Sequence, residues 1–229
     1  MTRTADLSSA SRLLIAALAI ACVLLVLFQL TGIGTGVIAS KLIASTLFVA
    51  IALRSGALQS TYGRIILVAL IFSWSGDVFL LGTTQEYFLA GLASFLLGHV
   101  AYVVAFSVRG LNARWSASAF LPVAVISILV SLWLAPHLPD SMVIPVRAYT
   151  FVISLMVVTA FGAKGAGGPL LIPLGATLFY FSDLSVAAGQ FLEPGFPNYV
   201  WGLPFYYTGQ LLLALSTGKP YHRYSESSR

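Results

Sequence analysis

Eight long runs of apolar residues are the feature that most constrains how this chain folds. A helix needs about 20 apolar residues to cross a bilayer, and inside the bilayer every backbone polar group must be bonded within the protein. The runs lack the alternation that is typical of membrane β-strands. We therefore predict an all-α polytopic membrane protein of eight transmembrane helices. They are expected at about 13–30, 36–53, 63–82, 88–107, 119–135, 143–163, 169–191 and 198–216.

The composition excludes the soluble and disordered classes. Of the 229 residues, 59% are hydrophobic and 8% are charged, against about 25% charged in an average soluble domain. Mean hydropathy is +0.94. The net charge of +5 is interpreted as a signal of membrane topology rather than of nucleic-acid binding. Because the connections are short, we expect a single transmembrane domain over 1–229, with a polar cytoplasmic tail at 218–229.

The basic residues predict the orientation of the chain. All but two of the 12 Lys and Arg residues lie in the terminal segments and in alternate connections. The intervening connections contain no Lys or Arg, but they contain Glu86, Asp140 and Glu193. Because cytoplasmic loops are enriched in Lys and Arg, this distribution places both termini in the cytoplasm. We expect an integral protein of a bacterial inner membrane.

Four ionisable residues lie inside the predicted helices: Lys41, Asp77, Arg147 and Asp183. Each costs at least about 2.5–3.5 kcal/mol to insert. Their positions place them roughly 7–12 Å below the outer membrane boundary, where all four could meet in one cavity that is neutral overall. They are either structural ion pairs or functional groups, and function is the default interpretation of intramembrane charge.

The two pairs of charges have the same spacing. Lys41 precedes Asp77 by 36 residues, and Arg147 precedes Asp183 by 36. The offset of 106 residues also relates the first predicted helix to the fifth. This pattern indicates a parallel duplication of a four-helix unit, although chance can produce a similar match. The predicted halves are 13–107 and 119–216.

Two carboxyl groups that face each other at this depth titrate as a coupled pair. Mutual repulsion keeps one protonated at neutral pH, and basic neighbours keep the other ionised. An acid and a base side by side are what hydrolysis by proton transfer requires. Asp77 and Asp183 are therefore the candidate catalytic residues, with the choice of acid left open.

The candidate substrate-binding residues are Lys41, Arg147, His99, Tyr102, Tyr180 and Ser182. We expect Arg147 to bind a phosphate, and Lys41 to bind either a phosphate or an aspartate. A lone membrane histidine is more often a hydrogen-bond partner between helices than a ligand, so His99 has a supporting role. No cluster has metal-ligand spacing, so a zinc site is not expected. No serine in the helices has a histidine partner in sequence, which disfavours a serine hydrolase. We expect no cofactor.

Three segments resemble a known family. They are FSWSGDVFLL at 72–81, GLASFLLGHVAY at 91–102 and GATLFYFSD at 175–183, and they look like the YhhN family, which includes the mammalian lysoplasmalogenases. The resemblance implies an eight-helix membrane hydrolase that cleaves the vinyl ether bond of a lysoplasmalogen. The products are a fatty aldehyde and a glycerophospho-base. The family's paired aspartates match Asp77 and Asp183, and its lysine matches Lys41, although Leu42 follows here where the family often has proline.

This chemistry suits two aspartates. A protonated carboxyl group can donate to the vinyl carbon β to oxygen, and an ionised one can stabilise the oxocarbenium ion and activate water. The expected partners are a lysolipid that enters from the bilayer and the membrane lipids. The alternative is a proton-coupled transporter of small molecules or lipids, because duplicated helices with buried acids and bases are also typical of that class.

Overall fold

The computed structural model describes residues 8–192 and 197–218, and over these ranges the chain forms eight long helices and no strand. They are α1 Ser9–Thr31, α2 Gly34–Ser55, α3 Thr61–Phe79, α4 Gln85–Arg109, α5 Ala113–Leu134, α6 Asp140–Gly165, α7 Leu171–Phe191 and α8 Asn198–Leu215. Short 3-10 turns at Ala57–Gln59 and Ala135–His137 precede α3 and follow α5. The all-α prediction is confirmed. Beyond Gly218, the predicted polar tail lies outside the described residues.

Polar caps and glycines define where several helices begin and end. The side chains of Ser8, Ser60 and Asn112 accept hydrogen bonds from backbone N–H groups of the first turns of α1, α3 and α5. Those N–H groups have no partner within their own helix, so the caps stabilise the helix starts. Gly32 and Gly56 end α1 and α2 in the left-handed conformation, which glycine adopts without steric cost.

The last helix differs from the others in composition. Among the described residues, α1 to α7 are long and apolar enough to cross a membrane, and α8 is not in this group. α8 carries Asn198 and Gln210, whose side chains are bonded to other helices. Ser185 of α7 donates to Asn198 Oδ1 at 2.6 Å, and Tyr102 of α4 donates to Gln210 Oε1 at 2.6 Å. These bonds compensate for the burial of polar groups in α8.

The main contacts of the described helices correspond between the two halves of the chain, although α1 also packs on α8 and no matching contact of α5 with α4 is present among the main ones. α1 packs on α2 and α3 on α4, just as α5 packs on α6 and α7 on α8. Between the halves, α2 packs on α8 and α6 packs on α4. This equivalence supports the predicted four-helix repeat, which stays a prediction.

Glycines bring α7 and α8 into backbone contact. A Cβ atom on Gly209 would lie 2.9 Å from the carbonyl oxygen of Gly175, and a Cβ atom on Gly175 would lie 2.9 Å from that of Gly209. In α4, a Cβ atom on Gly98 would lie 3.2 Å from the carbonyl oxygen of Ala69 in α3. Small residues allow such close helix packing in membranes. As a result, α3 and α7, which carry the two candidate aspartates, are each packed tightly against the helix that follows.

Candidate active site

A cavity of about 1160 Å³ lies at one end of the bundle. Short connections make consecutive helices antiparallel, so this end carries the α1–α2, α3–α4 and α5–α6 connections and the start of α8. Thr83, His137 and Asn198 line the cavity there, and Asp77 and Asp183 line it as well. Its volume exceeds the roughly 300–1,000 Å³ of most small-molecule pockets, which suits a ligand the size of a lipid.

Asp77 of α3 is held by side chains from α2 and α8. Ser45 and Tyr206 each donate a hydroxyl hydrogen bond to Oδ2, at 2.6 and 2.7 Å. Lys41 Nζ lies 3.5 Å from Oδ1. Because the Asp77 side chain is only 3% exposed, its charge is tolerated through these partners. Both carboxylate oxygens of Asp77 are therefore engaged.

Lys41 and Ser45 reach the same carboxylate because they are four residues apart on α2. Residues at this spacing lie on one face of a helix. The Lys41 side chain is 12% exposed and also lines the cavity. The expected pairing of Lys41 with an aspartate is present in the structure, and the ammonium group borders the space where a ligand would lie.

Asp183 of α7 accepts two hydrogen bonds at a single oxygen. Tyr149 OH of α6 donates to Oδ2 at 2.5 Å, and His99 Nε2 of α4 lies 3.0 Å from the same atom. His99 Nε2 is also 2.9 Å from Tyr149 OH, so the three groups form a closed triangle. The Asp183 side chain is 15% exposed. Its Oδ1 makes no hydrogen bond or ion pair with residues 8–192 or 197–218.

His99 is fully buried, and its Nδ1 atom has no hydrogen-bond partner in the described part of the chain. A neutral imidazole carries its proton on either nitrogen, and a charged one carries protons on both. A proton on Nδ1 would be a buried donor without an acceptor, which costs about 1–3 kcal/mol. The geometry therefore favours the tautomer of His99 with its proton on Nε2, from which it donates to Asp183.

The two carboxyl groups have partners from helices at corresponding places in the two predicted halves, but these partners differ in chemistry. Asp77 is bonded from α2 and α8, and Asp183 from α6 and α4. A lysine and two hydroxyls hold Asp77, whereas a phenol and an imidazole hold Asp183. The described residues contain no group of three His, Cys, Asp or Glu side chains that is arranged to hold a metal ion. The site therefore offers one fully engaged carboxylate and one with an oxygen available to a ligand.

Arg147 does not join the other three charges, which corrects the expectation of one shared cavity. Its side chain is exposed and lines a separate groove between α5 and α6. Tyr149, two residues later, faces Asp183, and two residues turn a helix by about 200°. Arg147 therefore points to the opposite side of α6. Equal spacing along the chain predicted matching depths, but not matching helix faces.

The other predicted binding residues have different positions. Tyr180 and Ser182 line the cavity, and the Tyr180 hydroxyl is 2.9 Å from Ser127 Oγ of α5. Tyr102 is fully buried, bonds to Gln210 and is not part of the cavity wall. His99 is not part of the cavity wall, but its Nε2 atom contacts Asp183 and Tyr149, which are.

Three residues of the site were not predicted: Ser45, Tyr149 and Tyr206. Ser45 was detectable from its position one helical turn after Lys41. The ring of Tyr206 packs edge-on against Phe95 and Phe179, as an ordinary core aromatic does. Only the hydroxyl at its tip is bonded to a carboxylate, and nothing in a single sequence distinguishes these two uses of a tyrosine.

Comparison with known proteins identifies a family and several relatives of this chain. The YhhN family model matches residues 36–217, which include both aspartates. Lysoplasmalogenase TMEM86A of Bos taurus is 33% identical over 157 residues, covering 66% of this chain and 64% of the relative. The Homo sapiens protein of the same name is 34% identical over 157 residues, with 66% and 64% covered. Lysoplasmalogenase of Mycobacterium tuberculosis (strain CDC 1551 / Oshkosh) is 30% identical over 151 residues, with 62% and 57% covered.

The chain thus spans less than two thirds of the length of these relatives. No solved structure gives a significant match. The family match covers α2 to α8 and therefore every residue described above around the two aspartates. The chain belongs to the YhhN family.

Proposed function

We propose that this protein is a membrane hydrolase that cleaves the vinyl ether bond of a lysoplasmalogen or a related lysolipid. The products are a fatty aldehyde and a glycerophospho-base. The observation that carries the proposal is the pair of aspartates with unlike partners on one cavity. The names of the relatives, which are lysoplasmalogenases, support it.

In this proposal Asp183 is the acid. Tyr149 and His99 both bind Oδ2, so Oδ1 is the oxygen that is available to carry a proton to the substrate. Transfer of this proton to the vinyl carbon β to the ether oxygen converts the substrate into an oxocarbenium ion. The carboxylate that remains keeps its two hydrogen bonds, which stabilise its new charge.

Asp77 stabilises the cation formed in that step. Lys41, Ser45 and Tyr206 hold Asp77 in place before the reaction, so no reorganisation is needed as positive charge develops. Water then adds to the oxocarbenium carbon and gives a proton to Asp183. This addition restores the acid and leaves a hemiacetal, which collapses to the aldehyde and the alcohol.

The cavity wall provides groups for the polar part of a lysolipid. The ammonium of Lys41, which we expect to contact the phosphate, borders the cavity with Ser182 and Tyr180. Phe95, Leu92 and Leu203 supply apolar surface beside them. A lipid with one chain and a phosphate therefore matches the mixed lining, and it would enter from the bilayer.

The direct test is aldehyde release by the purified protein. A lysolipid with a vinyl ether chain should release aldehyde. Its matched control has the same head group and a saturated ether chain, so it has no vinyl carbon to protonate and should release none. If no vinyl ether lysolipid is cleaved, the hydrolase proposal is wrong, and uptake of labelled lysolipid into vesicles would test the transporter alternative.

We further propose that both termini are cytoplasmic and that the membrane is a bacterial inner membrane. Arg54, Arg109 and Lys164 end α2, α4 and α6, and all three lie at the end of the bundle opposite the cavity. The positive-inside rule assigns that end to the cytoplasm. A reporter active only in the cytoplasm should work when fused after Arg229 and fail when inserted at Thr83–Thr84. The reverse pattern would contradict this orientation.

A further inference from the structure

Arg147 lies on a surface of α6 that faces away from the bundle. Ile144 and Phe151, on the same part of the helix, are large exposed apolar residues, as expected for a surface in contact with lipid. Arg147 follows the start of α6 at Asp140 by seven residues, or about 10 Å along the axis. Helix side chains incline toward the N-terminus, so the guanidinium group extends toward the nearer membrane boundary.

No carboxylate of the described chain neutralises Arg147. Asp77 and Asp183 are bonded inside the cavity, and residues 8–192 and 197–218 provide no ion pair or hydrogen bond to the arginine side chain. A charged group on an apolar surface needs a counter-charge or water. Of the components of a membrane, the lipid phosphate has the charge and the depth to supply it.

A groove of about 460 Å³ starts at this arginine and runs between α5 and α6. Its walls are mainly apolar, with Ile128 and Leu132 from α5 and Leu155 and Val158 from α6. Val158 lies about 16 Å further along α6 than Arg147. The groove therefore has a cationic end near the membrane boundary and an apolar course toward the bilayer centre, the same polarity as a phospholipid with its head group and one chain.

We propose that this groove binds a glycerophospholipid of the surrounding membrane, with its phosphate on Arg147 and one acyl chain along α5 and α6. The planar guanidinium binds two phosphate oxygens at once, which a lysine cannot do. The hydroxyl group of Ser131 lines the groove near the arginine and can donate to the same head group. The hydroxyl of Thr150 also lines the groove, but it donates to the carbonyl oxygen of Val146 at 2.9 Å.

The lipid site is separated from the active-site cavity by one layer of side chains. Thr150 lines both spaces. Ser127, in the groove, is bonded to Ser154 at 2.7 Å and to Tyr180 of the cavity wall at 2.9 Å. A lipid in the groove therefore lies against groups that shape the cavity without entering it.

The test is lipid retention by the purified full chain, measured by native mass spectrometry after delipidation and addition of defined lipids. The wild type should retain one phosphatidylglycerol molecule. Arg147→Gln should bind this lipid at least about tenfold more weakly. Arg147→Lys should have an intermediate affinity. Arg114→Gln, which removes an exposed arginine at the other end of α5, should behave as the wild type. Thermal unfolding of each variant verifies that the bundle is intact.

Two further ligands test which part of the lipid the groove recognises, the phosphate or the acyl chain. Diacylglycerol with the same chains lacks the phosphate, so the wild type and Arg147→Gln should bind it with equal affinity. Inorganic phosphate in millimolar excess should not displace phosphatidylglycerol, because the chain contributes to binding. Equal retention by wild type and Arg147→Gln, or displacement by phosphate alone, would overturn the proposal. Since retention does not depend on hydrolysis, this result is independent of the aldehyde assay.

Discussion

Asp183→Asn is expected to lower the rate of aldehyde release by about 10²–10⁴-fold, because the amide cannot transfer a carboxyl proton to the vinyl carbon. The side chain keeps its shape, and its amide oxygen can still accept from Tyr149 and His99. The bundle should therefore unfold at nearly the same temperature as the wild type. A single-turnover assay with a vinyl ether lysolipid measures the effect on chemistry.

Asp140→Asn is the matched control for this variant. The same substitution at Asp140 affects an exposed residue at the start of α6, and it should leave the rate unchanged. If Asp183→Asn retains turnover near that of Asp140→Asn, the proton does not come from Asp183, and Asp77 becomes the candidate acid.

Asp77→Asn is expected to abolish hydrolysis and also to destabilise the protein. The substitution leaves the Lys41 ammonium, which is 12% exposed, without its counter-charge. Breaking a buried ion pair in this way costs about 3–5 kcal/mol of stability. Because Lys41 borders the cavity, its unpaired charge is partly accessible to water, and we expect a loss toward the lower value. Thermal unfolding in detergent measures the stability, and aldehyde release measures the activity.

The double variant Lys41→Gln/Asp77→Asn separates the two effects. Removing both charges leaves no unpaired ion, so most of the lost stability should return, while hydrolysis should remain absent. An active double variant would show that the Asp77 charge plays no part in the chemistry. An Asp77→Asn protein as stable as the wild type would show that the ion pair with Lys41 does not hold α2 and α3 together.

The helices could be predicted from sequence because a bilayer imposes one requirement on every span. An apolar run of sufficient length must be a helix, whatever its neighbours are. The pairing of Lys41 with Asp77 was accessible for a similar reason, since both lie at one depth on consecutive helices. Arg147 satisfied the same criteria of depth and spacing. Its face of α6 depends on how that helix is rotated in the bundle, and the rotation is set by packing that the charges alone do not reveal.

The tyrosine hydroxyl groups at the site also could not be predicted, because their role depends on how the helices pack. Tyr149 and Tyr206 pack their rings in the core and bond an aspartate with the atom at the tip. In sequence they are aromatic residues in apolar helices, as most membrane tyrosines are. Their function becomes visible only when helices from the first and second halves of the chain are placed together.

The polarity of α8 has a consequence for the order in which the protein is assembled. Among the described helices, α1 to α7 are long and apolar enough to cross a membrane by themselves, and α8 is not in this group. Its Asn198 and Gln210 are costly to place in lipid without hydrogen-bond partners. Its Asn198, Tyr206, Tyr207 and Gln210 find their hydrogen bonds on α7, α3, α2 and α4. Stable insertion of the last helix during biosynthesis therefore depends on a bundle that already exists to receive it. Since Tyr206 is one of the groups that hold Asp77, a nascent chain acquires its complete carboxylate site only when this final helix has docked.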